Sequence, residues 1–181
     1  MITGKVAKRY ARALFLVAKT RAEQERIEQE FQGLVGIIDK NPELQDGLFH
    51  PSHSIKTRKG ILEELIQKLN ISNMLRIFLL FVADKGRLNA IVEIARVYEK
   101  LLDAVAGRLR VDVISAVPLK MTQVGQIKTV LERRTGKQVI ITKYTEQSLI
   151  GGMLVKIGNT IVDGSVNGRL ERMKERLMAR S

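Results

Sequence analysis

Few side chains in this 181-residue chain have the types and spacing that catalysis or metal binding requires. The two histidines, His50 and His53, lie three positions apart, but the Pro-Ser between them predicts a connection rather than a metal-binding helix face. The acidic pair Glu63-Glu64 lies among basic residues at helical spacing, which is typical of an ion-paired solvent face. Since the chain has no cysteine, thiolate ligands and a thiol nucleophile are excluded. We expect no metal site, no cofactor and no catalytic residue from these groups.

A glycine-rich stretch near the C-terminus is the other candidate for chemistry. Gly151-Gly152 precedes a strand pattern, which favours a bend or a close backbone approach over a phosphate site. The chain contains no G-x-x-x-x-G-K-[ST] run, so it lacks a phosphate-cradling P-loop of its own. We expect the carboxylate of Asp163 to accept backbone N–H bonds in an Asp-Gly turn rather than to act as a general base. The chain is therefore not expected to be an enzyme.

Residues 1–106 follow helical periodicity, and the loops of two to eight residues between successive helices predict a six-helix bundle. Thr20 and Glu23 form a capping box before the second helix, and Ser72 is expected to cap the fifth. Asn41-Pro42 marks the start of a short third helix. These signals fix where the helices begin, but they do not say which apolar faces meet.

The first and fifth helices carry more apolar surface than one neighbour requires. The fifth, MLRIFLLFVADK, is apolar almost all round and is expected to end at Gly86. The apolar arc of the first covers about half its circumference, and its residues are Val6, Ala7, Tyr10, Ala11, Ala13, Leu14, Val17 and Ala18. The helical wheel leaves open which part of that arc faces outward.

From Gly107 the periodicity changes to that of a small α+β module. Alternation in RLRVDVISAV and KQVIITKYT predicts two strands. The helix between them is expected to be capped by Thr122, to end at Gly136 and to face inward with Val124, Ile127, Val130 and Leu131. A hairpin turning at Gly158-Asn159 and a last helix capped by Ser165 complete the order. The spacing of the last helix predicts a core face made of Val166, Leu170, Met173 and Leu177. The predicted fold class is α+β overall, with a helical bundle over 1–106 and a β-α-β-β-β-α domain over 107–181.

The formal net charge of +12 is unevenly distributed, because residues 1–106 contribute +4 and residues 107–181 contribute +8. Such an excess favours an acidic partner, which could be nucleic acid, anionic lipid or an acidic protein surface. RNA binding remains open, although Tyr144 is the only aromatic residue after Tyr98 on which a base could stack. Membrane-surface binding also remains open, although the amphipathic last helix lacks tryptophan and phenylalanine anchors.

Hydropathy bears on location. The longest unbroken apolar stretch, residues 77–83, is too short to span a membrane. The basic N-terminus is not followed by a signal-peptide core with a small-residue cleavage site. These features predict a protein of the cytoplasmic side.

Motifs along the whole chain resemble one family. The most specific is the closing run IGGMLVKIGNTIVDGSVNGRLERM at residues 150–173, supported by V-A-x-R-Y-A-x-A-L at 6–14, KGRL at 85–88 and VDVISA at 111–116. Together they resemble the delta subunit of F-type ATP synthases, whose mitochondrial counterpart is the oligomycin-sensitivity-conferring protein. The matching signature positions, for which we expect a structural role in the hairpin and helix start, are Gly151, Gly152, Gly158, Asp163, Gly164 and Ser165.

The resemblance implies a non-catalytic stator subunit that links the catalytic head to the peripheral stalk, so that rotary proton transport is coupled to ATP synthesis. It implies that the N-terminal domain binds the N-terminal segments of alpha subunits in a groove between the first and fifth helices. It also implies that the C-terminal domain contacts the b-type stalk subunits. The groove residues expected on this basis are Tyr10, Ala13, Leu14, Val17, Met74, Phe78 and Phe81. One copy per complex, peripheral to the cytoplasmic face of a bacterial inner (plasma) membrane, and no nucleic-acid partner would follow.

Overall fold

The computed structural model describes residues 2–50, 52–158 and 160–178, with the side chains of all of these except 2, 3 and 175–177. The chain divides into two units, Met1–Leu102 and Asp103–Ser181. Helices together with a small four-stranded sheet agree with the predicted α+β class.

Helices make up the first unit. In the described residues these are α1 (Ile2–Val17), α2 (Arg21–Lys40), α3 (Pro42–Phe49), α4 (Ile55–Lys68), α5 (Asn73–Asp84) and α6 (Ile91–Val105), with a short 3-10 helix (Leu88–Ala90) before α6. The last three residues of α6 fall in the second unit. Their shared core includes the fully buried side chains of Leu34, Leu75, Leu79 and Tyr98. The helical spacing of Val105 with Tyr98 and Leu102 predicts a core position, but 66% of its surface is exposed at the end of α6.

Capping in this unit agrees only in part with the sequence signals. The capping box forms as predicted, because the Thr20 hydroxyl accepts the Glu23 N–H at 3.2 Å while the Glu23 carboxylate accepts the Thr20 N–H at 3.1 Å. Ser72 precedes α5, but its side chain does not cap the helix. Its hydroxyl donates instead to Glu30 Oε2 on α2 at 2.6 Å. At α3, Asn41 occupies the N-cap position, but its side chain donates back to the Ile37 carbonyl at 2.7 Å.

The second unit places one layer of helix on a sheet. Its elements are β1 (Arg108–Ser115), α7 (Met121–Thr135), β2 (Gln138–Thr145), a short 3-10 helix (Gln147–Leu149), β3 (Met153–Ile157), β4 (Thr160–Asp163) and α8 (Val166–Met178). The strand order is β2-β1-β3-β4, with β1 parallel to β2 and antiparallel to β3, and β3 antiparallel to β4. Val111, Val113 and Val139 are the buried centre of this sheet, against which Ile127 and Leu131 of α7 pack.

Two details of the second unit correct the sequence analysis. Helix α7 begins at Met121 rather than being capped by Thr122, and the N–H of Lys120 donates to the Gln123 side chain at 2.9 Å. Val130, expected to face inward, is 52% exposed. Gly136 and Gly158 have positive φ angles of 67° and 58°, as the end of a helix and a tight turn require. Asn159, the other residue of the expected turn, lies outside the described residues.

Candidate functional site

The apolar arc of α1 divides into an inner and an outer part. Ala7 and Ala11 are fully buried, Ala18 is 2% exposed and Leu14 is 3% exposed, so this side of the helix belongs to the core. Val17 is 56% exposed, and Tyr10 is only partly buried. The outer part of α1 therefore keeps apolar surface that its own unit does not cover.

Helix α5 divides in the same way. Leu75, Leu79 and Val82 are fully buried. Ile77 and Phe81 are 61% and 49% exposed on the other side. Large apolar side chains left open at this spacing form a face rather than isolated exposures.

The two open faces meet in one groove of about 610 Å³, which we call the α1/α5 groove. All seven residues expected from the sequence line it, together with two that were not expected; the full set is Arg9, Tyr10, Ala13, Leu14, Val17, Met74, Ile77, Phe78 and Phe81. Tyr10 joins the helices, because its ring centroid lies 6.3 Å from that of Phe78 in an edge-on arrangement and 6.1 Å from that of Phe81. Leu14, although it lines the groove, is mainly a core residue.

Three cations, here called the basic rim, border these rings. The guanidinium carbons of Arg9 and Arg87 lie 5.9 Å and 5.7 Å from the centroid of the Tyr10 ring. Lys85 Nζ lies 5.6 Å from the centroid of Phe81. Sequence analysis missed this rim, since Lys85 and Arg87 follow α5 and reach the groove only through the fold.

The signature residues of the second unit shape the backbone where β4 meets α8. The Asp163 carboxylate accepts the Ser165 N–H at 2.8 Å, and the Ser165 hydroxyl accepts the Gly168 N–H at 3.0 Å, so both polar groups close the start of α8 as expected. The Ser165 hydroxyl and N–H lower the pKa of Asp163. Because its pKa is lowered, the Asp163 carboxylate has a low affinity for a proton and is a poor general base, which agrees with a structural role.

A close backbone approach explains one of the signature glycines. Gly152 has a φ of +79°, and a Cβ atom on it would meet the carbonyl oxygen of Gly164 and lie 3.0 Å from Ser165 Cα. Glycine is required here both for conformation and for space.

The remaining candidates for chemistry stay apart. The rings of His50 and His53 have centroids 6.0 Å apart, and His53 Nε2 lies 3.5 Å from Asp46 Oδ2. Among the described residues no group of three or more potential metal ligands comes together. Glu63 and Glu64 are exposed. They were expected to form ion pairs with neighbouring basic residues, but they make none among the described residues.

Helix α8 presents a second apolar surface. Val166, Leu170 and Met173, which share one helix face, are 41%, 54% and 61% exposed, so they do not form the core face that their spacing suggested. Leu177, the next residue expected on that face, has no described side chain. None of the helices within the described ranges has the length and apolarity needed to cross a membrane.

Comparison with known proteins gives a consistent family. The family model described as "ATP synthase delta (OSCP) subunit" matches residues 6–177. The chain is 35% identical over 172 residues to the ATP synthase subunit delta of Desulfosudis oleivorans, covering 95% of this chain and 94% of that one. It is 36% identical over 177 residues to the subunit delta of Syntrophus aciditrophicus, covering 98% of both.

A solved structure shares the fold. A chain of the Toxoplasma gondii mitochondrial ATP synthase hexamer superposes with a TM-score of 0.73. The match covers 95% of this chain and 97% of that one at 20% sequence identity.

Proposed function

The chain belongs to the ATP synthase delta (OSCP) subunit family, a stator component of F-type ATP synthases, and we propose that it joins the catalytic head to the peripheral stalk. In this role the first unit holds the N-terminal segments of alpha subunits and the second unit holds the b-type stalk subunits. The family is that of a non-catalytic subunit. The groove residues form an apolar surface, and the signature residues shape the backbone at the start of α8.

The observation that carries the proposal is the α1/α5 groove. Its lining residues recur at i, i+3, i+4 and i+7 on both helices, namely 10, 13, 14 and 17 on α1 and 74, 77, 78 and 81 on α5. Two helices presenting matched stripes of about two turns, roughly 11 Å long, make a seat for the apolar face of a third helix. An amphipathic helix lying in an apolar groove is a common mode of recognition.

The contact must hold under load. A stator resists the torque of rotation, so the binding free energy has to appear as slow dissociation rather than as fast association. Exposed aromatic and aliphatic side chains such as Phe81 and Ile77 suit this need, since buried apolar anchors dominate slow-dissociating interfaces.

The groove can be tested with a synthetic peptide of the N-terminal segment of the cognate alpha subunit. Val17→Asp and Phe81→Asp each place a charge where the apolar face of the peptide would lie, so we expect binding to weaken about 100-fold or more, about 2.7 kcal/mol. Calorimetric titration measures the dissociation constant, and circular dichroism verifies that the variants remain folded.

Leu16→Asp is the matched control, because Leu16 lies on the same helix, is 80% exposed and does not line the groove. It should leave binding unchanged. If Phe81→Asp and Leu16→Asp bind the peptide as the unmodified protein does, the groove is not the alpha-binding site.

The stalk contact is supported by α8. Its open apolar face lies on a helix that also carries Arg169, Arg172 and Lys174, and the residues from 107 onward hold +8 of the net charge. An acidic amphipathic helix end would match both the apolar stripe and the charge. One copy per complex, bound peripherally at the cytoplasmic face of a bacterial inner membrane, completes the proposal.

A further inference from the structure

We propose that the basic rim is a carboxylate receptor, so that the α1/α5 groove selects a helix with acidic side chains beside its apolar stripe. This inference rests on the proposed role of the groove and adds what the occupant must carry. It also gives a role to Lys85 and Arg87, the two charged residues of the KGRL run at 85–88, whose Leu88 is a core residue.

The three cations are held at the groove by the rings that line it. Arg9 and Arg87 both lie near the ring of Tyr10, and Lys85 lies near that of Phe81. A cation near an aromatic ring gains from the ring's quadrupole, but the ring satisfies no N–H donor in the plane of a guanidinium. These cation–π contacts therefore position the charges without neutralising them.

Arg87 has a hydrogen-bond donor without an acceptor. Its Nη1 atom is buried and has no hydrogen-bond partner in the described part of the chain. Buried donors of native proteins almost always have an acceptor, and a guanidinium donor left without one is unusually costly. Since solvent does not reach Nη1 in the free protein, a carboxylate of the occupant would gain this donor when the Arg87 side chain turns outward, and it would then supply the missing acceptor.

The chain does not neutralise the rim itself. None of the groove-lining residues is acidic. Arg9, Lys85 and Arg87 form no ion pair with any carboxylate among the described side chains, those of residues 4–50, 52–158, 160–174 and 178. An apolar floor with an uncompensated positive edge is complementary to an amphipathic helix with a negative edge.

The turn after α5 makes the arrangement possible. Gly86 has a φ of +64° and separates Lys85 from Arg87. With this left-handed residue between them, α5 ends and both neighbours place their side chains near rings of the same groove. The spacing K-G-R therefore brings two cations to one end of the site.

The test uses two probes, the N-terminal peptide of the cognate alpha subunit and the same peptide with every Asp and Glu replaced by Asn and Gln. We expect the acidic peptide to bind the unmodified protein about tenfold more tightly than the neutral one. Arg87→Gln should weaken the acidic peptide about tenfold and leave the neutral one unchanged. Arg87→Lys should fall between, because it keeps the charge but loses the fork.

Arg12→Gln is the control, since Arg12 is an exposed arginine on α1 outside the groove. It removes one positive charge and should leave both dissociation constants unchanged. For Arg87→Gln the decrease of affinity with salt should also be shallower than for the unmodified protein.

Equal binding of the acidic and neutral peptides, or a cognate alpha segment without acidic residues, would overturn this inference and leave the proposed groove intact. Undiminished binding after Phe81→Asp would instead remove the proposed function of the groove and this inference with it. A dimer in sedimentation that Phe81→Asp dissociates would show that a second copy is the occupant, which overturns both.

Discussion

At the scale of single residues, the buried phenol of Tyr98 links stability to alkaline pH. Its ring is fully buried, with centroids 5.6 Å from Phe15 and 5.9 Å from Phe31, and its hydroxyl donates to the Gln24 carbonyl at 3.4 Å. Burial raises the pKa of Tyr98, and the negative charge of Glu28 raises it further. The folded protein therefore strongly favours the neutral phenol.

This environment predicts a loss of stability in base that Tyr98→Phe reduces. Below about pH 10, the ordinary tyrosine pKa, the phenol is protonated in both states and its contribution is complete. As the pH rises from there through the raised folded pKa, only the unfolded chain gains by ionising, so stability falls. Urea unfolding at about pH 8 and about pH 10.5 should show a smaller decrease for Tyr98→Phe.

Tyr144→Phe is the control, because Tyr144 is 52% exposed. It should follow the unmodified protein at both pH values. A decrease in Tyr98→Phe as large as that in the unmodified protein would mean that the buried phenol does not control alkaline stability.

Gly152 gives a second prediction at this scale. Alanine there would be strained at φ +79° and would meet the backbone of Gly164 and Ser165, so we expect Gly152→Ala to destabilise the second unit by roughly 2–4 kcal/mol. Gly125→Ala, inside α7 with no atom within 4 Å of the new Cβ, should instead stabilise by about 0.5–1 kcal/mol. Thermal unfolding of the two variants should move in opposite directions, and a shared direction contradicts the close-approach interpretation.

At the scale of elements, local signals in the sequence were sufficient for most helix ends but not for their partners. The Thr20 and Glu23 capping box could be predicted because both residues lie within one turn of the helix they close. Ser72 could not, since the carboxylate that binds it comes from Glu30, 42 residues away in the chain. An acceptor far away in the chain overrides the local capping preference of Ser72, and no residue near Ser72 in the sequence indicates that acceptor.

The groove shows the same division between pattern and packing. Periodicity identified an apolar arc on α1 that was too wide for one neighbour. The family resemblance supplied the pairing with α5, and all seven residues expected on that basis line the groove. It could not separate Ala11, fully buried, from Val17, 56% exposed, because both are apolar positions of one arc. The basic rim could not be predicted from the sequence. Arg87 and Tyr10 are separated by most of the first unit's sequence and come together only in the fold.

The predicted core face of helix α8 was wrong, and the physical reason leads to a prediction. Its spacing indicates one apolar face, but periodicity is identical whether that face meets the chain's own core or a partner. We expect Leu170→Asp, at a position 54% exposed, to abolish association with purified b-type stalk subunits while thermal unfolding changes little. Analytical ultracentrifugation of the mixture measures the association.

Val130→Asp is the matched control on α7, at a position 52% exposed in the same unit. It should leave the stalk complex intact. Loss of the stalk complex in both variants, or in neither, would mean that the exposed face of α8 is not the specific stalk-binding surface.

At the scale of the whole molecule, the two units carry different kinds of surface. The first presents a groove with an aromatic floor, and the second presents an exposed helix face in the part of the chain that holds +8 of the +12 net charge. A linker between two larger assemblies needs such independent contacts, because each must hold when the other is under load. Neither surface requires a reacting group, which fits a subunit that transmits force.

Coupling in the assembled ATP synthase provides the last prediction. If the groove holds the head to the stator, then Phe81→Asp frees the head to turn with the rotor, and ATP hydrolysis no longer drives proton transport. Hydrolysis itself should persist, since the family is that of a non-catalytic subunit of the complex. Membrane vesicles carrying the variant complex should therefore keep their ATPase activity while ATP-driven acidification, followed by a fluorescent pH probe, is largely lost. Leu16→Asp, altered on α1 outside the groove, should preserve both activities. Proton transport per ATP that is unchanged in Phe81→Asp, despite weaker peptide binding, would mean that another contact holds the head against torque.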